Sequence, residues 1–480
     1  MFMYMVIFCV LALFDSSAGQ LDKPNILFVL ADDLGWAEIG YNNHYVKTPN
    51  LDRLASEGVI LNQSYVQQSC SPTRASLMSG YFPYRIGYQH KGVSRALPTG
   101  LPLEHTILPQ SLRQHGYSTY MVGKWHLGFC KREYTPHGRG FDRFYGMYLA
   151  TQDHYTHMEA KGLDLNENGN PDWSKNGTYS TDLYTDKAIE YIQEHDTDKP
   201  MFMYLAYPTV HDPLQVPDKY RDMYPEGINE NRRIKLGMIT SLDDGVQKVV
   251  TALQDNGMWN NTLLIFLSDN GGPVNDKYKG NNWPLRGSKK TMFEGGTRVV
   301  SFVHGTMLEK TGYVNDGLIH VVDWYPTLLS LVGGIPDSDM DGLNVWATLS
   351  KNESSPRTEF VYNIDYTDRF PCAAIRMGDY KLILGKAGNP GSWVPPDEAN
   401  GTFGNATYTR IKRKDSLLYN IKDDPTERYN LAKQMPDKVE EMSARIRELK
   451  VNMVPALDVG IKSRKSSPRH FNNVWSSGWC

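Results

Sequence analysis

Cysteine is scarce. The chain has five in 480 residues, Cys9, Cys70, Cys130, Cys372 and Cys480, spread from one end to the other. This excludes a disulfide-stapled scaffold and a clustered zinc site, so cysteine acts singly or in one bridge. An excess of one charge is also missing. Lys and Arg number 51 against 54 Asp and Glu, a formal net charge of -3, so the basic surplus of a nucleic-acid binder is absent. The one long apolar run lies within residues 1–14, short of the about 20 residues that span a bilayer. No membrane partner is expected, and no internal repeat is found. What remains is an ordinary globular composition, 40% hydrophobic and 22% charged. Such a chain is long enough to bury a sizeable core without staples. At roughly 150 residues per domain it could hold about three domains, and one large α/β unit plus a smaller one fits equally well.

The apolar start is followed by Asp15-Ser16-Ser17-Ala18-Gly19, small residues suited to signal-peptidase cleavage. Residues 1–19 are therefore expected to be a signal peptide, with a buried N-terminal helix as the alternative. No Lys or Arg precedes the run, which leaves the amino terminus as its only positive charge. Six N-x-S/T sequons, at Asn62, Asn176, Asn260, Asn352, Asn400 and Asn405, agree with passage through the secretory pathway. The expected location is secreted or lysosomal.

The run Asn25-Ile26-Leu27-Phe28-Val29-Leu30 is apolar at nearly every position, the pattern of a parallel strand buried on both faces. Further strands are expected at residues 117–122, 201–207 and 263–267, and helices at 232–253 and 321–331. A helix starting near Thr48-Pro49 and ending at Gly58 uses the N-terminal proline and C-terminal glycine preference. Alternation of this kind predicts a mostly parallel sheet between helices, whose ligand site lies beyond the carboxyl ends of the strands. After the four runs come Asp32-Asp33, Gly123-Lys124-Trp125-His126, His211-Asp212 and Asp269-Asn270. Past Gly342 the texture changes. Sequons, Pro and Gly cluster up to Thr407, then a basic strand-like patch runs Arg410-Ile411-Lys412-Arg413-Lys414, and a helix is expected from Pro436. The patch is read as a solvated strand face. A large α/β unit is assigned to residues 20–345 and a smaller C-terminal α+β domain to 346–480.

Cys70-Ser71-Pro72-Thr73-Arg74 precedes Ala75-Ser76-Leu77-Met78-Ser79-Gly80. Pro72 suits a first helical turn and Gly80 a helix end. Cys70 thus falls at a helix N-terminus, where free N–H groups favour an anion, and Arg74 lies one turn further in. A buried cysteine ahead of a helix fits the same residues.

Cys70-x-Pro72-x-Arg74 followed by Ala-Ser-x-x-Ser-Gly resembles the signature of the formylglycine-dependent sulfatases, and Gly123-Lys124-Trp125-His126-Leu127-Gly128 resembles that family's second signature. The similarity continues in the family's order through Asp32-Asp33, Thr209-Val210-His211-Asp212-Pro213, Ser268-Asp269-Asn270-Gly271-Gly272, Leu285-Arg286-Gly287-Ser288-Lys289 and Glu294-Gly295-Gly296. Gln89-His90, Leu214-Gln215-Val216-Pro217 and the Trp-rich C-terminus look closest to the arylsulfatase B subgroup.

The resemblance implies an alkaline-phosphatase-like fold and hydrolysis of sulfate esters. It implies that Cys70 is oxidised to formylglycine by the formylglycine-generating enzyme. One hydroxyl of the hydrated aldehyde attacks sulfur, giving a covalent sulfo-enzyme intermediate, and the second then expels sulfate. It places one Ca²⁺ among Asp32, Asp33, Asp269, Asn270 and position 70, a donor set of hard oxygens suited to that ion. By the same resemblance Arg74 and Lys124 stabilise the formylglycine, His126 is the base of the expulsion step, His211 the general acid, and Lys289, His211 and Lys124 contact the sulfate. From the residues alone an Asp-Asp pair also reads as a helix cap, and His211-Asp212 as an oriented surface pair. Asp164-x-Asn166-x-Asn168-Gly169 copies the start of a calcium-binding loop, but its twelfth position is Lys175. It is read as a surface turn. With Cys9 in the signal peptide and Cys70 modified, Cys130, Cys372 and Cys480 leave room for one intramolecular bridge at most.

Overall fold

The computed structural model describes residues 23–90, 92–369, 371–389, 392–399, 401–408 and 415–480. The expected signal peptide, Asn400 and the 410–414 basic patch lie outside these residues. In chain order the main sheet contains β1 (Asn25–Ala31), β2 (Val59–Leu61), β3 (Ser118–Lys124), β4 (Arg143–Met147) and β5 (Asn166–Glu167). It continues with β6 (Asn170–Pro171), β7 (Met201–Ala206), β8 (Thr262–Ser268), β9 (Ser301–His304) and β10 (Tyr313–Asn315). Their spatial order is β10-β2-β9-β8-β1-β7-β3-β4-β5-β6. The central five, β8 to β4, are parallel throughout, with Ile26 opposite Phe202 on one side and Leu263 on the other. Antiparallel pairs flank them at β8–β9, β9–β2, β4–β5 and β5–β6.

The continuous apolar run of β1 has a direct structural cause. Leu27 and Val29 face a core shared with α1 (Pro49–Glu57), α4 (Ser180–Gln193) and α5 (Glu230–Asp255). Ile26, Phe28 and Leu30 face the opposite core, packed by α2 (Cys70–Ser79), α3 (Leu108–Gln114) and α6 (Trp324–Leu331). A strand buried on both faces has no solvent side to keep polar, and each fully buried side chain contributes roughly 1.5–3 kcal/mol. Gly80 ends α2 in the left-handed region at φ 77°, its N–H donating to the Ser76 carbonyl. The Asn229 side chain starts α5 by accepting from the Arg232 N–H.

The C-terminal region forms a separate four-stranded antiparallel sheet, β11 (Glu359–Asp365), β12 (Cys372–Met377), β13 (Tyr380–Gly385) and β14 (Ser416–Asn420), in that spatial order. Met442 and Ile446 of α7 (Pro436–Leu449) pack in its core. The chain then returns to the main sheet, where Cys480 is disulfide-bonded to Cys130, 350 residues earlier. Cys70 and Cys372 are free. Asp164 departs from expectation. Its neighbours Asn166 to Pro171 form a hairpin with an exposed tip, but Asp164 itself is buried and accepts the N–H groups of Tyr148 and Leu149 at 2.9 and 2.8 Å. No helix of the described residues is long and apolar enough to cross a membrane.

Candidate active site

Parallel strands that end together deliver their following residues to one place. Asp32 and Asp33 follow β1, Lys124 ends β3 with His126 two residues on, His211 lies in the loop after β7, and Asp269-Asn270 follow β8. Two of these turns need unusual backbone. Asp33 and His126 sit at φ 64° and 55°, costly for side chains other than glycine. Gly123 has φ 103°, and a Cβ there would lie 2.0 Å from the Ala206 carbonyl oxygen of β7, so only glycine lets β3 reach the site in this way.

The sequence-predicted residues meet. Arg74 reaches from the first turns of α2, its Nε and Nη2 donating to Asp269 Oδ2 at 3.1 and 2.8 Å, and its Nη1 to the Lys124 carbonyl at 2.8 Å. Lys124 Nζ donates to Asp32 Oδ2 at 2.5 Å. Lys289 Nζ lies 2.6 Å from Asp33 Oδ1, which also accepts from Asn270 Nδ2 at 2.7 Å. His211 Nε2 faces Asp33 Oδ2 at 3.7 Å, and its Nδ1 is 2.9 Å from the Asp212 carbonyl. His126 Nε2 lies 3.2 Å from the Val93 carbonyl. A carbonyl only accepts, so in each histidine the nitrogen beside it carries the proton and the other is left with a lone pair.

Two groups escaped the sequence reading. Lys235, buried on α5, donates to the Val210 carbonyl at 2.7 Å and the Asp33 carbonyl at 3.3 Å, tying together the loops after β1 and β7. His154 pairs with the His211 carbonyl at 3.0 Å and supports that loop from behind. Lys235 sits in a helical stretch of mixed character, and nothing in its spacing marks it.

Burial and charge set the protonation states. Burial raises the Asp32 and Asp269 carboxyls, with Lys124 and Arg74 pulling against it. Burial also acts on Asp33, but Lys289, His211 and Lys235 outweigh it and hold the group far below the usual carboxylate range. Burial, then Lys124 and Arg74, keeps His126 well below its ordinary value. Burial and Lys289 bring His211 down to about 3. Both imidazoles are therefore neutral.

The donor set fits a hard cation. Asp32 Oδ1 and Asn270 Oδ1 are buried acceptors with no hydrogen-bond partner, a cost of about 1–3 kcal/mol each unless something binds them. Oxygens of Asp32 and Asp269 lie with Cys70 Sγ within 4.8 Å of one another, and Asp32, Asp33 and His211 form a second such group. A soft thiol is the odd member of this oxygen-rich set.

Among the glycosylation candidates, Asn176, Asn260, Asn352 and Asn405 are exposed. Asn62 is half-buried with its amide in use, donating to Asp316 at 2.6 Å and accepting from Arg298 at 2.8 Å.

Comparison with known proteins matches residues 24–335 to the sulfatase family model and residues 355–477 to the model of the C-terminal region of aryl-sulfatase. Arylsulfatase J of Mus musculus is 41% identical over 492 residues, covering 96% of this chain and 81% of the relative. N-acetylgalactosamine-6-sulfatase of Mus musculus is 29% identical over 459 residues, covering 87% of this chain and 83% of the relative. The crystal structure of Ps i-CgsB in complex with k-i-k-neocarrahexaose superposes with a TM-score of 0.79 at 29% identity, covering 91% of this chain and 94% of that one.

Proposed function

The chain belongs to the sulfatase family and is a sulfuric ester hydrolase, and from that premise we propose that it acts through a formylglycine derived from Cys70 beside one Ca²⁺. The substrate is a sulfated sugar, a glycosaminoglycan or a small sulfated metabolite, and the enzyme is of the arylsulfatase B type. The N-acetylgalactosamine sulfatase relative and the bound carbohydrate of the structural neighbour support the glycan end of that range. A signal peptide at residues 1–19 would deliver it to the secretory pathway, for export or the lysosome. There the formylglycine-generating enzyme meets Cys70. The catalytic domain is placed at residues 20–345 and the smaller domain at 346–480.

Asp32, Asp33, Asp269, Asn270 and position 70 would hold the ion. Hydrated formylglycine supplies an oxygen nucleophile where the unmodified chain has sulfur, and the calcium ion supplies positive charge for a sulfate oxygen. The protein's own groups do the rest. Buried Arg74, Lys124 and Lys235 and half-buried Lys289 set four cations against the carboxylates of Asp32, Asp33 and Asp269. That balance favours an anion, and preorganised donors are worth most where water is excluded. His126 offers Nδ1, which has no partner, as the atom that accepts a proton. His211 offers Nε2 toward the leaving oxygen. An arriving sulfate offsets the Lys289 charge that depresses this nitrogen, so substrate itself raises its proton affinity. Lys289 and Lys124 then hold the sulfate oxygens.

The observation that carries the reading is a sulfur atom among buried, unpartnered oxygen acceptors beside Arg74 and Lys124. The test is mass spectrometry of the tryptic peptide containing position 70, with turnover of 4-nitrophenyl sulfate by the protein and by Cys70→Ala. An aldehyde and loss of turnover in the variant are expected; undiminished turnover would sink the proposal.

A further inference from the structure

The segment after α7 crosses back over the main sheet and is pinned along its length. Val454 N–H donates to the Tyr84 carbonyl and Leu457 N–H to Gly87, each at 2.9 Å. Ser463 N–H donates to Ala96 at 2.8 Å and Trp475 N–H to Leu163 at 2.9 Å. The Cys130–Cys480 bridge closes the end. The Ser463–Ala96 bond matters most, because it sets Lys462 beside Arg95.

Both side chains line a cleft of about 280 Å³ that also includes His126 and Thr151. Thr151 Oγ1 donates to the Asp212 carbonyl at 2.8 Å, next to His211. The cleft therefore abuts the site at both histidines. Its two outer cations differ. Arg95 is paired with Glu159 and lies over the Trp475 ring at 5.7 Å from the centroid. Lys462 is exposed and makes no ion pair among the described residues. One carboxylate answers one guanidinium, and the ammonium is surplus.

We propose that Lys462, held beside Arg95 by the returning tail, forms a subsite for a second anionic group, a carboxylate or a sulfate, on the sugar next to the cleaved ester. The proposal rests on the sulfate ester reading above and narrows it to substrates carrying two anions. A free ammonium at the mouth of a cleft attracts such a group over about 8–10 Å at moderate ionic strength, less at high salt. A lone aryl sulfate fills the inner end and gains nothing from it.

The test measures binding so that it stands apart from turnover. Calorimetry in calcium-containing buffer would use Cys70→Ala protein, with and without Lys462→Glu. Three probes are compared: a monosulfated hexosamine, the same sugar linked to a uronic acid, and a disulfated disaccharide. Lys462→Glu is expected to weaken one or both dianions about tenfold and the monoanion less than twofold. Lys462→Arg is expected to keep the affinity. The uronate and disulfate arms show whether carboxylate or sulfate is preferred. Equal effects on monoanion and dianions, or none, would overturn the subsite. Turnover of 4-nitrophenyl sulfate by the unsubstituted protein reports separately on the hydrolase reading.

Discussion

The loop after β1 feeds two clusters of buried charge that behave in opposite ways. Asp32 and Asp33 enter one, with Arg74, Lys124, Asp269 and Lys289. Glu38, a few residues on, enters the other, with Arg232 and Glu398. In the second cluster every side-chain atom is used. Arg232 donates to Glu38, to both Glu398 oxygens at 2.8 and 2.9 Å, and to the Lys279 carbonyl at 2.9 Å. Glu38 Oε2 accepts the Gly35 N–H at 2.8 Å, and Asn43 donates to Glu398 at 2.9 Å. In the first cluster Asp32 Oδ1, Asn270 Oδ1 and His126 Nδ1 have nothing. Burial and charge are common to both. A closed set of partners marks a structural cluster, and an open one marks a place for a ligand.

Breaking each cluster should break a different property. Arg232→Met strands two carboxylates and is expected to cost about 3–5 kcal/mol of stability, read by denaturant unfolding. The folded fraction should keep its specific activity. Asp32→Asn should do the reverse, lowering kcat/KM by about 10²–10³-fold with a smaller stability loss than Arg232→Met. Calcium at about a hundred times its dissociation constant should stabilise the protein by ~2.7 kcal/mol. Thermal scans should show that increment in Arg232→Met and not in Asp32→Asn. Asp164 is a third case, a buried carboxyl answered only by backbone N–H groups and pushed up by burial to about 7. Its folded value is raised, so the native state holds the proton more tightly. The stability this gives is full below about pH 4 and is lost as pH rises through 7. Asp164→Asn should remove a fall in unfolding free energy of about 1.4 kcal/mol per pH unit between pH 4 and 7, read by denaturant unfolding at each pH.

Much of this architecture could be read in advance because its signals are local. The apolar run of β1 admits one reading, a strand covered on both faces, and α2 is bounded by residues with known end preferences. That Asp32-Asp33, Lys124, His126, His211 and Asp269-Asn270 come together was legible because each lies at or just past a strand end, whereas Arg74 arrives from α2 and Lys289 from a loop well after β8. Long-range pairings were not legible. Lys235 acts through two carbonyls on other loops, and helix periodicity cannot say which buried lysine reaches them. Asp164 looks like a turn residue because its hydrogen-bond partners, Tyr148 and Leu149, come from the chain after β4. The choice of Cys130 and Cys480 over Cys372 as the bridged pair depends on the tail's return across the main sheet. No spacing rule encodes that path.

The burial of α2 has a consequence for timing. Every residue from Cys70 to Ser79 is buried, although most solvent-facing helices keep one wet side. Any enzyme acting on the Cys70 side chain would need access to it, and the finished domain buries it. Under the proposed formylglycine reading, oxidation of Cys70 would therefore fall in the interval between synthesis of residue 70 and closure of the sheet over it. β8, which Asp269 follows, is synthesised nearly two hundred residues later. A parallel topology whose strands are distant in sequence closes slowly, which would lengthen that interval.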